Sequence, residues 1–256
     1  MDATRGVEKV YEEQLLNKLF DLRDSVALVT GASGGIGACI AMGLARCGAK
    51  VVVCDQGPEA EMAPVVEKIK GMGAEALGIH CDVRNRQSVE QAAKRAVDHF
   101  GGLHVMVANA GVLGKLCKAD QVEKQVWDEV MSVNLTGAYN CCAAAYPYMK
   151  QAGRGKIILL SSIAALRGFG AQVNCLLPGA INTPFLDQVL PTKEKVEYLL
   201  HRIPAGRLGV PEDIVGPVVF LSSHASDYVT GTDIICDGGG CQVPMLADQE
   251  PEDYQP

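Results

Sequence analysis

Five short apolar runs, spaced so that a helix fits between successive pairs, limit the folds open to this chain. They are Val26-Ala27-Leu28-Val29-Thr30, Val51-Val52-Val53-Cys54, Ala76 to Cys81, Val105-Met106-Val107-Ala108 and Ile157-Ile158-Leu159-Leu160. They read as nearly continuous apolar stretches, so they predict strands buried on both faces. Helical patterns fill the gaps over Ile36 to Cys47, Glu59 to Lys70, Gln87 to Phe100 and, longest, Gln121 to Lys150. Such alternation predicts a parallel sheet covered by helices on both sides, in one α/β domain of doubly wound type.

The flanks read differently. Val7, Val10, Tyr11, Leu15, Leu19 and Phe20 recur at helical spacing, which predicts an amphipathic arm over residues 1–20 ahead of a main domain at 21–242. Late in that domain Val173 to Leu177 predicts a strand, residues 180–209 loop and short helix, and Asp233 to Cys236 a last strand. Pro211-Glu212-Asp213 marks a helix start, where proline fits the first turn and two acids suit the positive end of the dipole. Residues 243–256 are acidic and Pro-containing and predict a disordered tail.

The net charge of −7 with scattered Lys and Arg excludes the footprint of a nucleic-acid or membrane-surface binder. No apolar run is long enough to span a bilayer. Ten cysteines occur without a secretory pattern in the charged stretch Met1 to Asp24, and Cys39, Cys54, Cys141, Cys142 and Cys175 lie inside apolar runs. Buried thiols in a reducing compartment, the cytoplasm, are the expectation. No CxxC pair or His spacing supports a metal site.

Chemistry enters at Thr30-Gly31-Ala32-Ser33-Gly34-Gly35-Ile36-Gly37, between the first strand and the first helix. Gly31, Gly35 and Gly37 let the backbone turn sharply and let a pyrophosphate approach the helix N-terminus, beside Ser33 and Ile36. Strand, turn, helix and next strand are all present, as a Rossmann-type fingerprint requires. Asp55 ends the second strand, where a carboxylate accepts hydrogen bonds from the adenosine ribose and repels a 2′-phosphate. No Arg or Lys lies in the glycine turn, so NAD is expected and NADP disfavoured.

The Gly-x-x-x-Gly-x-Gly spacing resembles that of the short-chain dehydrogenase/reductase family, and later motifs agree. Asp82-Val83 is similar to the family's adenine-holding position. Asn109-Ala110-Gly111 resembles its Asn-Ala-Gly motif, and Asn134 its helix Asn. Pro178-Gly179 through Ile181 and Thr183 resembles the segment that meets the nicotinamide carboxamide. The runs Ile203 to Gly209, Pro211 to Asp213 and Thr230-Gly231 with Asp237-Gly238-Gly239 look like its late signatures. Residues 216–228 resemble sugar-acid dehydrogenases such as gluconate 5-dehydrogenases, with 3-oxoacyl carrier-protein reductases nearly as similar. The resemblance implies hydride transfer between NAD(H) and a secondary alcohol or ketone of sugar-acid, polyol or 3-oxoacyl type. It also implies a small-molecule substrate and a homo-oligomer.

The implied catalytic set is Ser162, with Ser161 adjacent, and Asn134, together with a Tyr and a Lys. A phenol near pKa 10 is a poor base at neutral pH until an ammonium group favours its anion. The resemblance places the Tyr about a dozen residues after Ser162 and the Lys four further on. Here Asn174 occupies that position, no Tyr lies between Tyr148 and Tyr198, and no Lys between Lys156 and Lys193. Tyr146-Pro147-Tyr148-Met149-Lys150 has the right spacing, but it precedes Ser162 at the helix end remote from the strand C-termini. Tyr198 and Tyr228 lack a Lys four residues on. The helix that crosses between the fifth and sixth strands is therefore absent between 172 and 173. A parallel neighbour ordinarily needs a crossover of about a dozen residues or more. Val173 to Leu177 is accordingly expected to be strained or unpaired, with apolar surface bared on the sheet and on the long helix, and with the family's oligomer interface compromised. Three readings stay open: an NAD-dependent oxidoreductase, a cofactor-binding pseudoenzyme, and a shortened product of a gene whose full form is the enzyme.

Overall fold

A computed structural model describes residues 18–114, 121–160, 172–189 and 192–240. The strands are β1 (Val26–Thr30), β2 (Lys50–Asp55), β3 (Ala76–His80), β4 (Val105–Ala108), β5 (Lys156–Leu160), β6 (Gln172–Pro178) and β7 (Asp233–Cys236). The helices are α1 (Gly35–Arg46), α2 (Glu59–Gly71), α3 (Arg86–Phe100), α4 (Lys124–Val130), α5 (Ala138–Ala152), α6 (Pro184–Val189), α7 (Lys193–Leu200) and α8 (Pro211–Ser222). One sheet holds all seven strands in the order β3-β2-β1-β4-β5-β6-β7, every pair parallel. The expected doubly wound α/β architecture is the one found.

Continuous apolar strands are explained by two cores, one on each face. Val29, Val51, Val53 and Leu176 pack with α1, α2 and α8. Leu28, Val52, Met106 and Leu159 pack with α3 and α5 on the other side. Full burial of such a side chain stabilises by about 1.5–3 kcal/mol. Four of the five cysteines expected inside are buried, while Cys39 is only half-buried on α1.

Local signals set the helix ends. Asn85 caps α3, its Oδ1 accepting from the backbone N–H of Gln87 (3.0 Å) and Ser88 (3.4 Å). Gly101, at φ +86°, ends it in the left-handed region. At the start of α8, Asp213 accepts from Val210 N–H and from the Arg207 fork at 2.7 and 2.9 Å, which holds its carboxyl at about 2.

Two expectations are corrected. The long helix expected over 121–150 runs from Lys124 to Ala152 but is not α-helical throughout: a π-helical stretch, Met131–Gly137, lies between α4 and α5. The strand expected to be strained or unpaired is paired on both edges. Ile157↔Val173 through Leu160↔Leu176 join it to β5, and Cys175↔Asp233 through Pro178↔Cys236 join it to β7. The physical reason is that two ladders and two cores hold it at once: Val173 and Cys175 enter one core and Leu176 the other. Asn174, in the expected Tyr position, is buried, its amide donating to Val229 O (3.2 Å) and accepting from Thr232 N–H (3.3 Å). The sheet face is covered, with Ile157, Leu159, Val173 and Cys175 all buried. Bared apolar surface does occur on the long-helix side, where Trp127 is 57%, Leu135 42% and Tyr139 54% exposed. Residues 1–17 and 241–256, which contain most of the arm and all of the tail, lie outside the described residues. Among those described, no helix is long and apolar enough to cross a membrane.

One ring couples this frame to pH. Half-buried His104 accepts the Val26 N–H at Nδ1 (3.0 Å), which requires the neutral ring. Burial, reinforced by the charge of Arg154 and opposed by Asp24, lowers its pKa. An unfolded chain then binds the proton more readily, so this contribution is complete above the unfolded value near 6.5 and is lost as pH falls through it towards the folded value. Wild-type melting temperature is expected to decline below pH 6.5 more steeply than that of His104→Gln, by a few degrees between pH 7 and pH 5.5. Parallel slopes in thermal melts would remove His104 from the account.

Candidate cofactor and active site

The strand C-termini open on a cavity of about 590 Å3. Its floor is the turn after β1. Gly31 (φ +63°) and Gly35 (φ +54°) take left-handed conformations, as the turn requires. A Cβ on Gly37 would lie 2.2 Å from Gly31 O, so only glycine lets α1 start against the turn. Gly34 and Gly35 instead have nothing within 4 Å of a Cβ position and leave the floor open. The N-cap, Gly34, supplies no side-chain hydrogen bond, and no acid sits in the first turn of α1. The opening N–H groups, at the positive dipole end, therefore have no side-chain acceptor at the cap and suit an anion.

At one end stand two carboxylates. Asp55 Oδ2 accepts from Ser33 N–H (3.1 Å) and Ser33 Oγ–H (2.7 Å), and Oδ1 from Gln56 N–H (2.8 Å). Asp82 is gripped by Arg84 through Nε–Oδ1 (2.9 Å) and Nη2–Oδ2 (2.8 Å), and those bonds hold its carboxyl below the usual carboxylate range. Val83 lies beside it on the cavity wall.

The middle is braced by two asparagines. Asn109 Nδ2 donates to Thr30 O (2.8 Å) and Gly31 O (3.0 Å), while the N–H groups of Asn109 and Ala110 donate to Thr30 Oγ1. The tips of β1 and β4 are thereby tied together. Asn134 sits in the π-helical stretch, and its amide accepts from Val112 N–H (2.9 Å) and donates to Val112 O (3.0 Å). Both polar atoms of its side chain engage that loop, and π-helical insertions favour such sites.

At the far end Pro178, Gly179, Ile181 and Thr183 follow β6, and Phe185 and Leu186 on α6 complete an apolar wall with Val112 and Leu160. Gly179 passes so close to the Asp237 turn that a Cβ would meet Asp237 Cα at 2.6 Å.

Asn134 and all fifteen residues expected to touch the cofactor, Gly111 included, border this one cavity. Ser162 and Ser161 lie outside the described residues. Tyr146 and Lys150 do not border the cavity, nor do Tyr198, which faces Arg202 at 4.9 Å, or Tyr228. Sequence reasoning missed Phe185, Leu186 and Val112. Nothing in their local pattern separates a cavity wall from core.

A nucleotide-sized cavity at the strand C-termini, floored by a glycine turn and a helix N-terminus, defines a dinucleotide-binding α/β protein. A family model described as short chain dehydrogenase matches residues 25–174, and one described as Enoyl-(Acyl carrier protein) reductase matches 168–240. The chain is an oxidoreductase of the short-chain dehydrogenase/reductase family, whose members use NAD(P) and act on small molecules. It is 35% identical over 249 residues to L-rhamnose 1-dehydrogenase (NAD(P)(+)) of Azotobacter vinelandii, covering 85% of this chain and 97% of that protein. It is 32% identical over 248 residues to 2-dehydro-3-deoxy-D-gluconate 5-dehydrogenase of Escherichia coli, covering 86% and 96%. A solved gluconate 5-dehydrogenase from Burkholderia cenocepacia, in complex with NADP and tartrate, superposes with a TM-score of 0.82 at 30% identity, over 90% of this chain and 100% of that one. The two matches run over 249 and 248 positions, more than the 85% and 86% of this 256-residue chain that they use, so this chain leaves some matched positions unfilled.

Proposed function

We propose that this chain binds NAD(H) in the strand-end cavity and oxidises a secondary alcohol, or reduces the ketone, of a polyhydroxylated substrate of sugar or sugar-acid type. The observation that carries the cofactor choice is Asp55, held by Ser33 at the end of β2. A fixed carboxylate there pairs with two ribose hydroxyls and repels a 2′-phosphate. The residues present fit the dinucleotide: an open glycine floor, a helix N-terminus without a capping side chain, and a second carboxylate at Asp82. When bound, NAD supplies a two-electron acceptor for the carbinol carbon, and NADH the reverse. Gly31, Ser33, Gly35, Ile36 and Gly37 would hold the diphosphate, Asp82 and Val83 the adenine, and Asn109, Ala110 and Gly111 the second ribose. Pro178, Gly179, Ile181 and Thr183 would meet the carboxamide. Ser162 would orient the substrate oxygen, and Asn134 would fix the Val112 loop beside it. The substrate class rests on likeness to the relatives named for rhamnose and gluconate chemistry.

A second reading, nucleotide binding with slow turnover, draws on one observation. Residues 161–171, the whole connection from β5 to β6, contain Ser161 and Ser162 but no Tyr or Lys. The described wall of the cavity adds Asp55, Cys81 and Asp82 as its only titratable side chains, the two carboxylates at the nucleotide end. The comparisons lend that reading no support of their own, since the relatives are named as dehydrogenases. Fluorescence titration with NADH and NADPH, followed by absorbance assays over sugars, sugar acids and polyols, separates the cases. Saturable NADH binding with turnover upholds the first reading, and binding without turnover the second. No saturable dinucleotide binding overturns both.

A further inference from the structure

A second cleft, of about 630 Å3, opens on the opposite edge of the sheet, at the strand N-termini. It lies between the starts of β1, β4, β5 and β6 and the C-terminal end of α8. Nothing in the dinucleotide reading uses it. Its wall is rich in polar groups that the fold has not neutralised in a uniform way.

Lys156, buried at the start of β5, donates to Ser226 Oγ (3.2 Å) and to Asp227 Oδ1 (2.9 Å), so its charge is met inside the wall. His224 contacts the other oxygen of Asp227 at 3.1 Å. Asp21 is met by Arg23. Arg154 is different. Its Nη2 donates to Asp24 O at 2.8 Å, and among the described residues no carboxylate pairs with its guanidinium. Beside it His104 accepts the Val26 N–H at Nδ1, which leaves the ring proton on Nε2 as a donor. Ser222, on the same wall, is only 4% exposed, and its hydroxyl has no hydrogen-bond partner among the described residues. A buried hydroxyl left unpaired is destabilising, and a ligand oxygen that reached it would relieve that cost.

These groups define the ligand. A planar guanidinium fork with free donors matches a carboxylate. Asp21 and Asp227 on the same wall are already paired with Arg23, Lys156 and His224, and the repulsion they retain weighs twice as heavily on a doubly charged phosphate as on a single carboxylate. The hydroxyl of Ser222 and the Nε2–H of His104 call for further oxygens on the ligand. We propose that the cleft at the strand N-termini binds a small hydroxylated monocarboxylate, with Arg154 as its anchor. The site is separate from the dinucleotide cavity and does not rest on the proposed reaction.

The test is calorimetric titration of the full chain with lactate and gluconate as probes and inorganic phosphate as the charge control. The same titrations are run on NADH-saturated protein, where binding can persist at the substrate end of the first cavity or at the second cleft, and the Arg154 variants, which touch only the second, tell the two apart. Saturable binding of a hydroxy acid is expected with and without NADH, weaker for phosphate. Arg154→Gln should weaken it roughly tenfold or more, and Arg154→Lys, which keeps charge without the fork, by less. Ser222→Ala, with little change in shape, checks the same wall if the Arg154 variants lose their melting transition. Absence of saturable binding, loss of binding on NADH saturation, or unchanged affinity in folded Arg154→Gln and Ser222→Ala would each overturn the assignment.

Discussion

Asp55→Ala is expected to lower NAD affinity by roughly tenfold to a hundredfold, the loss of two charge-assisted hydrogen bonds to one ribose. The same change should narrow the preference for NAD over NADP, because the group that repels a 2′-phosphate is gone. Stability should barely move. The carboxylate's partners are Ser33 and Gln56 at the cavity rim, where water replaces it as acceptor. Paired titrations with NADH and NADPH, beside a thermal melt, give all three quantities. Unchanged NADH affinity in a folded variant would refute the cofactor assignment.

Gly37→Ala is expected to act in the opposite way, through the fold. Its Cβ would sit 2.2 Å from Gly31 O and 2.5 Å from Asn109 Nδ2, and the first of these is backbone. Relief requires the glycine turn to part from α1 or Asn109 to release Thr30 and Gly31. Overpacking of that kind costs about 1–3 kcal/mol, and the broken clamp adds about 1 kcal/mol for each lost bond. Chemical denaturation should therefore show a loss of several kcal/mol, with dinucleotide binding abolished. Gly34→Ala is the internal contrast. Its backbone is extended at φ −163°, and nothing lies within 4 Å of the added carbon. It should melt like the wild type while weakening nucleotide binding, because the methyl group fills the open floor. Equal stability of Gly37→Ala and Gly34→Ala would mean that the floor is not packed as described.

The nucleotide half of the site was legible because its signals are local. The glycine turn lies between a buried strand and a helix, the two acids sit at or just beyond the ends of the next two strands, and strand order alone brings all three together. Asn134 was legible as a site residue but not as a brace, since its partner is the backbone of Val112, which no side-chain pattern marks. The π-helical turn inside the long helix was illegible for a related reason. Nothing in Met131–Gly137 resembles a breaker, and the π-helical stretch coincides with the Asn134–Val112 link. The strand Gln172–Pro178 exposes the limit of arguing from connection length. Link length bears on the cost of closing a loop, whereas two ladders and two cores decide whether the strand pairs. The walls formed by Phe185 and Leu186 gave no sign because apolar residues look alike whether they face core or cavity.

The β5–β6 junction carries one more consequence. Leu160 ends one strand and Gln172 begins its parallel neighbour, so the two points to be joined lie at opposite ends of one strand pair. Five strand residues span roughly 17 Å, and eleven residues reach at most about 40 Å. Eleven residues are thus enough for that span, and β6 can pair with β5 without the usual crossover helix. Leu160, where that junction starts, borders the cavity, whereas Gly31, Ser33 and Asp55 belong to the turn after β1 and the end of β2, which makes the junction the natural place to graft length without disturbing the glycine floor.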